Sequence, residues 1–157
     1  QQMSQDEIVA VLAHEVGHWK KKHVMKHIII TEVMAFAGLY LAHLLVQGNL
    51  LPRLIGVEGE LSLYGKVVIL GFLASIITFP LTPLFSYFSR KHEYESDRFA
   101  VELTGAPDAM ASALVKISKE NLSNLHPHPL YASFYYSHPP VVERIRKLRK
   151  TAVRGKQ

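Results

Sequence analysis

Between Ile8 and Ala13 every residue is apolar. A helix that is apolar all round is buried in protein or lipid. Ser4-Gln5-Asp6-Glu7, just before it, has the form of a capping box and predicts a helix start, with the helix running over 4–27. Residues 28–47 are mostly apolar and long enough to cross a bilayer, although Glu32 and His43 interrupt them. Residues 48–66 hold Pro52, Gly56, Glu58, Gly59 and Glu60 and predict a loop. Residues 67–89 carry no charge and form the stronger candidate span, which Pro80 and Pro83 should kink or break. A charged helix follows over 90–104, ended by Gly105 and Pro107. Within 105–157, Asp108–Leu122 is amphipathic, with Met110, Leu114 and Ile117 on one face. Pro139-Pro140 open a last helix, with Val141, Ile145 and Leu148 inward. The Tyr131–Tyr136 run has no decisive pattern. The expected fold is all-α: an integral-membrane helical bundle fragment with two transmembrane spans and a cytoplasmic-side helical cap.

Length and charge sharpen this picture. A chain of 157 residues has room for one domain, so 1–157 reads as a single functional unit. The formal charge is +5, and the basic residues sit beside apolar stretches, which suits a lipid surface and not a nucleic-acid groove. Lys20, Lys21, Lys22, Lys26, Arg90 and Lys91 mark the open end of the hairpin, against Arg53 and Lys66 at its closed end. Basic residues favour the cytoplasm, so the open end should face it in a multi-pass membrane protein. The chain opens Gln1-Gln2, without Met and without a secretory signal, and reads as a portion of a longer protein.

Candidate chemistry lies in the first helix, where His14-Glu15-Val16-Gly17-His18 contains H-E-x-x-H. Histidines four apart share a helix face and can grip one metal ion, while Glu15 can take a proton from metal-bound water. Cysteine is absent, so any zinc must use His and carboxylate ligands. A catalytic zinc site needs a third protein ligand. The second span returns the chain near Arg90, where Glu93 and Asp97 are four apart and share a face. Glu93 is the expected third ligand. Asp97 is expected to accept the free N–H of a ligand histidine and so orient it. The competing reading is a solvated charged face beside Arg90, Lys91 and Arg98. Glu95 points elsewhere, and His92 lies outside the set. His23 and His27 read as near-surface basic residues, and His126 and His128 as part of a Pro-rich loop.

The run Val11–Trp19 resembles the type I CAAX prenyl proteases, membrane zinc endopeptidases related to the HtpX heat-shock proteases. So do Ser89–Ala100 and the block Tyr136-Ser137-His138-Pro139-Pro140-Val141-Val142-Glu143-Arg144-Ile145. The resemblance extends from about Asp6 to Leu148. It implies His14, His18 and Glu93 as ligands of one catalytic Zn2+ and Glu15 as catalytic base. It also implies that His138 and Arg144 approach the substrate or the tetrahedral intermediate. His138 can donate to a developing oxyanion; its alternative is a plain helix-start residue. Arg144 either binds a peptide carbonyl or carboxylate, or pairs with Glu143 or Asp97. The family has further membrane helices before the H-E-x-x-H helix, which this chain lacks, so the missing helices of the same protein are expected partners. The implied location is the endoplasmic reticulum membrane in a eukaryote or the inner membrane in a bacterium.

Three functions compete on this basis. The first is endoproteolysis of C-terminally prenylated CAAX proteins. The second is membrane-protein quality control of the HtpX kind. The third, from another class, is a non-catalytic membrane scaffold with structural zinc, against which the intact Glu15 argues.

Overall fold

The computed structural model describes residues 2–154, and among them there is helix but no strand. Helix α1 spans Gln5–Lys20, α2 His23–Gln47, α3 Leu50–Ile55 and α4 Leu63–Thr78. A single 3-10 turn, Phe79–Leu81, leads into α5, Thr82–Thr104; α6 (Pro107–Glu120), α7 (Pro129–Tyr135) and α8 (Val141–Arg154) follow. The chain forms two compact units. One comprises Met25–Leu81; the other is built from the segments through Val24 and from Thr82 onward.

Within Met25–Leu81 only Leu51 and Pro52 are buried. Side chains such as Ile29, Val33, Phe36 and Leu39 of α2, and Val68, Phe72 and Ile76 of α4, lie exposed. Two helical stretches, His23–Gln47 and Leu63–Thr104, are long and apolar enough to cross a membrane. At 25 residues, α2 is ~37 Å long, more than the ~30 Å of a bilayer's hydrocarbon core. Two hydroxyls of α4 are satisfied within the helix: Ser75 Oγ donates to the Phe72 carbonyl at 2.7 Å and Thr78 Oγ1 to that of Ala74 at 2.8 Å. Such internal satisfaction is what lipid demands of polar groups. Glu32 and His43 are exposed on α2.

Two local expectations are refined. The segment expected as loop, 48–66, contains α3, which ends at Gly56 in the left-handed region at φ 68°. Pro52 is the third residue of that helix, within its first turn, where a missing N–H costs nothing. The break expected at Pro80 and Pro83 takes the form of the 3-10 turn. Pro80 lies inside it, and Pro83 occupies the first turn of α5.

The other unit is a bundle of α1, α5, α6, α7 and α8. Ala10, Val101, Met110, Leu114 and Leu148 form its core, with Ala109, Val141 and Ile145 against it. The expected inward faces of α6 and α8 are thus the packed ones, with Ile117 half-buried. Helices α1 and α5 approach very closely at Gly17: a Cβ there would stand 3.1 Å from Ser96 Cα and 3.2 Å from Phe99 Cδ1. The start of α1 is tied down by Glu7. Its backbone N–H and the Ser4 hydroxyl complete one half of a capping box, and its carboxylate accepts from the Ser4 N–H at 2.6 Å. The same carboxylate takes Lys116 Nζ at 2.6 Å and Ser112 Oγ at 2.5 Å, both from α6. Lys116, then Ser112 and the Ser4 backbone, pull the Glu7 pKa from 4.5 to about 2.

Two outcomes follow from these contacts. Gly17→Val should destabilise the protein by ~1–3 kcal/mol through overpacking against the α5 backbone, read as a lower denaturation midpoint. Because the folded-state pKa of Glu7 is depressed, its contribution is complete above 4.5 and is lost as pH falls toward 2. Glu7→Gln should therefore lower the midpoint at neutral pH and flatten its decline across that acid window, as measured by urea unfolding at several pH values.

Candidate metal centre

Helix α1 carries His14 and His18 one turn apart, and α5 carries Glu93 and Asp97 one turn apart. The close crossing at Gly17 brings the two pairs together. His14 Nε2 and His18 Nε2 are 3.2 Å apart. Glu93 Oε1 lies 3.3 Å from His18 Nε2, and Glu93 Oε2 lies 3.6 Å from His14 Nε2. Ligand atoms from these three residues all fall within 4.8 Å of one another. Around a tetrahedral zinc ion, with bonds of roughly 2.0–2.1 Å, ligand atoms stand about 3.3 Å apart. The spacing and donor set therefore fit a tetrahedral metal such as zinc.

Asp97 lies behind His14, its Oδ1 2.9 Å from His14 Nδ1; it meets the ring as a charge, without the alignment of a full hydrogen bond. Arg144, from α8, holds both carboxylates. Its Nε and Nη2 donate to Asp97 Oδ2 and Oδ1 at 2.8 and 2.5 Å, and Nη1 lies 3.0 Å from Glu93 Oε2. All four residues are buried. Burial would by itself raise both carboxyl pKa values. For Glu93 the contacts with His14 and Arg144, and for Asp97 those with Arg144 and His14, hold them below the ordinary range instead. Burial also opposes charge on His14, but Asp97 and Glu93 outweigh it and lift its pKa to about 9 in the metal-free protein.

Glu15 follows His14 on the exposed side of α1. His138 stands in the segment before α8, with its Nε2 3.5 Å from Glu93 Oε1 and its side chain 67% exposed. Its Nδ1 is 3.0 Å from Ser137 Oγ. The segment is fastened from α5: Arg90 Nη1 donates to the carbonyls of Ala132, Ser133 and Tyr136 at 3.2, 3.2 and 2.8 Å, and Ser86 Oγ to that of Phe134 at 3.0 Å. His14, His18 and Glu93 thus form one cluster, with Asp97, Arg144 and His138 against it, whereas His126 and His128 are exposed.

Several participants were not legible. Of the two partners expected for Arg144, it meets Asp97 and not Glu143, and it also meets Glu93, which its sequence position does not announce. Glu143 instead accepts from Tyr94 Oη at 3.2 Å; burial and this carboxylate raise the Tyr94 pKa to about 12. The signal for Arg144 was available in its position. It lies three residues after Val141 and one before Ile145, inside the inward stripe of α8. His23, read as a near-surface residue, is buried against His18 and Glu95. No sequence spacing reveals that contact, because a turn separates His23 from α1.

Removing Arg144 leaves two buried carboxylates without their cation. Arg144→Leu should cost about 3–5 kcal/mol of stability, and Arg144→Lys should recover little of it, since one ammonium cannot bridge both groups. Denaturant unfolding of the two variants checks this.

The geometry can be set beside known proteins. The model of Peptidase family M48 matches residues 1–152. A CAAX prenyl protease 1 homolog from Arabidopsis thaliana is 40% identical over 149 residues, covering 92% of this chain and 34% of that protein. The Homo sapiens homolog is 36% identical over 149 residues, covering 92% of this chain and 30% of its own length. The crystal structure of S. mikatae Ste24p superposes with a TM-score of 0.77 at 31% identity, covering 92% of this chain and 37% of that one. The chain therefore spans about a third of the length of the relatives it matches. Because the family match runs through every helix that contributes to the cluster, the chain belongs to peptidase family M48.

Proposed function

We propose that this chain is the catalytic region, residues 1–157, of a zinc-dependent membrane endopeptidase of the CAAX prenyl protease type. One observation carries the reading: two imidazole Nε2 atoms and a carboxylate converge at tetrahedral spacing beside an exposed glutamate. His14, His18 and Glu93 hold the zinc in this reading. When bound, zinc supplies Lewis acidity toward a scissile carbonyl and toward water. Glu15 removes the proton from the attacking water and passes it to the leaving amine. In this reading His138 donates a hydrogen bond to the oxygen on which negative charge develops, supported by its proximity to Glu93 and its exposure. Arg144 is buried and occupied by two carboxylates, so its part is to hold Glu93 and Asp97 and thereby shape the transition-state site, without direct contact with the peptide. Asp97 orients His14.

The substrate class rests on the relatives, which are named CAAX prenyl proteases. The proposed substrate is a protein ending in a prenylated CAAX sequence. The proposed setting is a multi-pass membrane protein whose metal centre faces the cytoplasm, supported by the basic residues that flank the two apolar stretches.

The complete protein should cleave a farnesylated CAAX peptide, lose activity to a chelator and regain it with zinc. Glu15→Gln should lower kcat by roughly 10²–10⁴ while zinc content stays at wild-type level. Unchanged proteolysis by that variant would favour a scaffold with structural zinc. Cleavage of unfolded membrane proteins but not of the farnesylated peptide would favour quality control. Glu93→Gln should lower zinc content itself, measured by metal analysis after dialysis.

A further inference from the structure

His23 is a buried titratable group to which the proposed chemistry gives no task. It is 3% exposed. The chain reverses between α1 and α2 through Lys22, held in the left-handed region at φ 56°, with the Lys21 and Lys22 N–H groups donating to the Gly17 and Trp19 carbonyls at 3.0 Å. A non-glycine residue adopts that conformation at a cost. The result here is that the first residue of α2 folds back beside the end of α1.

There it meets His18. The two Nδ1 atoms are 3.4 Å apart, and the rings meet edge to face with centroids 5.1 Å apart. On its far side His23 Nε2 lies 3.2 Å from Glu95 Oε2. His92 stacks on His23 with centroids 4.1 Å apart and planes 10° from parallel, and Ser96 Oγ is 3.5 Å from His23 Nδ1. The ring is thus stacked on one face and contacted at both nitrogens.

A neutral imidazole has one N–H donor and one lone-pair acceptor. Two proton patterns can join His18 to His23. In the first, His18 Nδ1–H donates to His23 Nδ1, the His23 proton sits on Nε2, and the His18 Nε2 lone pair is free for a metal. In the second, His23 Nδ1–H donates to His18 Nδ1, and the His18 proton moves to Nε2, where it blocks the metal. The Glu95 carboxylate only accepts, so it requires a proton on His23 Nε2 and selects the first pattern. The two ligand histidines are therefore backed differently: His14 directly by the Asp97 carboxylate, His18 by a carboxylate acting through a ring.

We propose that His23 and Glu95 are positioning residues, a two-member relay that fixes the tautomer and ring orientation of His18 for metal binding. This rests on the reading of His18 as a zinc ligand. Groups that orient metal-bound histidines typically matter by 10–100-fold in metal affinity.

The test uses the complete protein in detergent. Zinc affinity is measured by competition with a chromophoric chelator, and the visible spectrum is recorded after loading with cobalt(II). Thermal midpoints in the presence of EDTA report the metal-free fold separately. His23→Leu should bind zinc roughly 10–100-fold more weakly and shift the cobalt bands. Glu95→Leu should weaken binding in the same direction, and Glu95→Gln, whose amide oxygen still accepts the His23 N–H, should restore it. Wild-type affinity and an unchanged cobalt spectrum in His23→Leu would overturn the relay. Should His23→Leu not fold, the partly exposed Glu95 decides: Glu95→Leu indistinguishable from wild type overturns it, and loss rescued by Glu95→Gln upholds it. A wild-type protein that binds neither zinc nor cobalt would instead defeat the underlying metal-centre reading.

Discussion

The candidate centre depends on how closely α1 and α5 cross. Gly17 is the contact point, and the backbone of Ser96 leaves no room there for a side chain without a shift. A metal centre tolerates little error, because its ligand atoms must stand about 3.3 Å apart. One helix supplies two nitrogens at that spacing through its own geometry. The carboxylate can join them only if the second helix lies within reach, and the missing Cβ of one glycine inside the H-E-x-x-H motif permits it. The same residue that spaces the two histidines thus also admits the partner helix.

Charge imposes the second constraint. Two buried carboxylates, Glu93 and Asp97, would repel each other and raise one another's pKa in the absence of a cation. Arg144 answers both, with a bidentate grip on Asp97 and a third N–H toward Glu93. This links α8 to the centre electrostatically, while Val141, Ile145 and Leu148 of the same helix join the core. Packing and site electrostatics are therefore set by one helix face. The segment carrying His138 is anchored in a comparable way, with α5 donating from Arg90 and Ser86 to backbone carbonyls of α7 and the residue after it. Helix α5 contributes an acid to the centre, a partner to His14 and the fasteners of the neighbouring segment.

The apolar unit obeys different physics. Its helices bury almost none of their own side chains, and the Ser75 and Thr78 hydroxyls of α4 bond back to carbonyls of their own helix. Water cannot solvate such a surface favourably, whereas hydrocarbon can. In sequence this unit is an excursion: the chain leaves the helical bundle after Val24 and re-enters it at Thr82. The long separation between His18 and Glu93 therefore reflects the intervening apolar helices.

Local patterns determined a great deal. The capping box set the start of α1, apolar length set the two membrane-length helices, and inward stripes set the faces of α6 and α8. Spacing of four placed His14 with His18 and Glu93 with Asp97, since helix periodicity is a property of neighbouring residues. Prolines were less decisive, because a helix's first turn accepts them, as at Pro52 and Pro83. Contacts across helices were beyond such reasoning. That Arg144 grips Asp97 and Glu93, that Arg90 fastens α7, and that His23 is buried between His18, Glu95 and His92 depend on how separate helices cross and how one strained turn redirects the chain. Residue types within a helix announce which side chains share a face. Which face meets which is decided only when the whole bundle packs, because close packing and charge compensation are satisfied jointly by residues far apart in the chain.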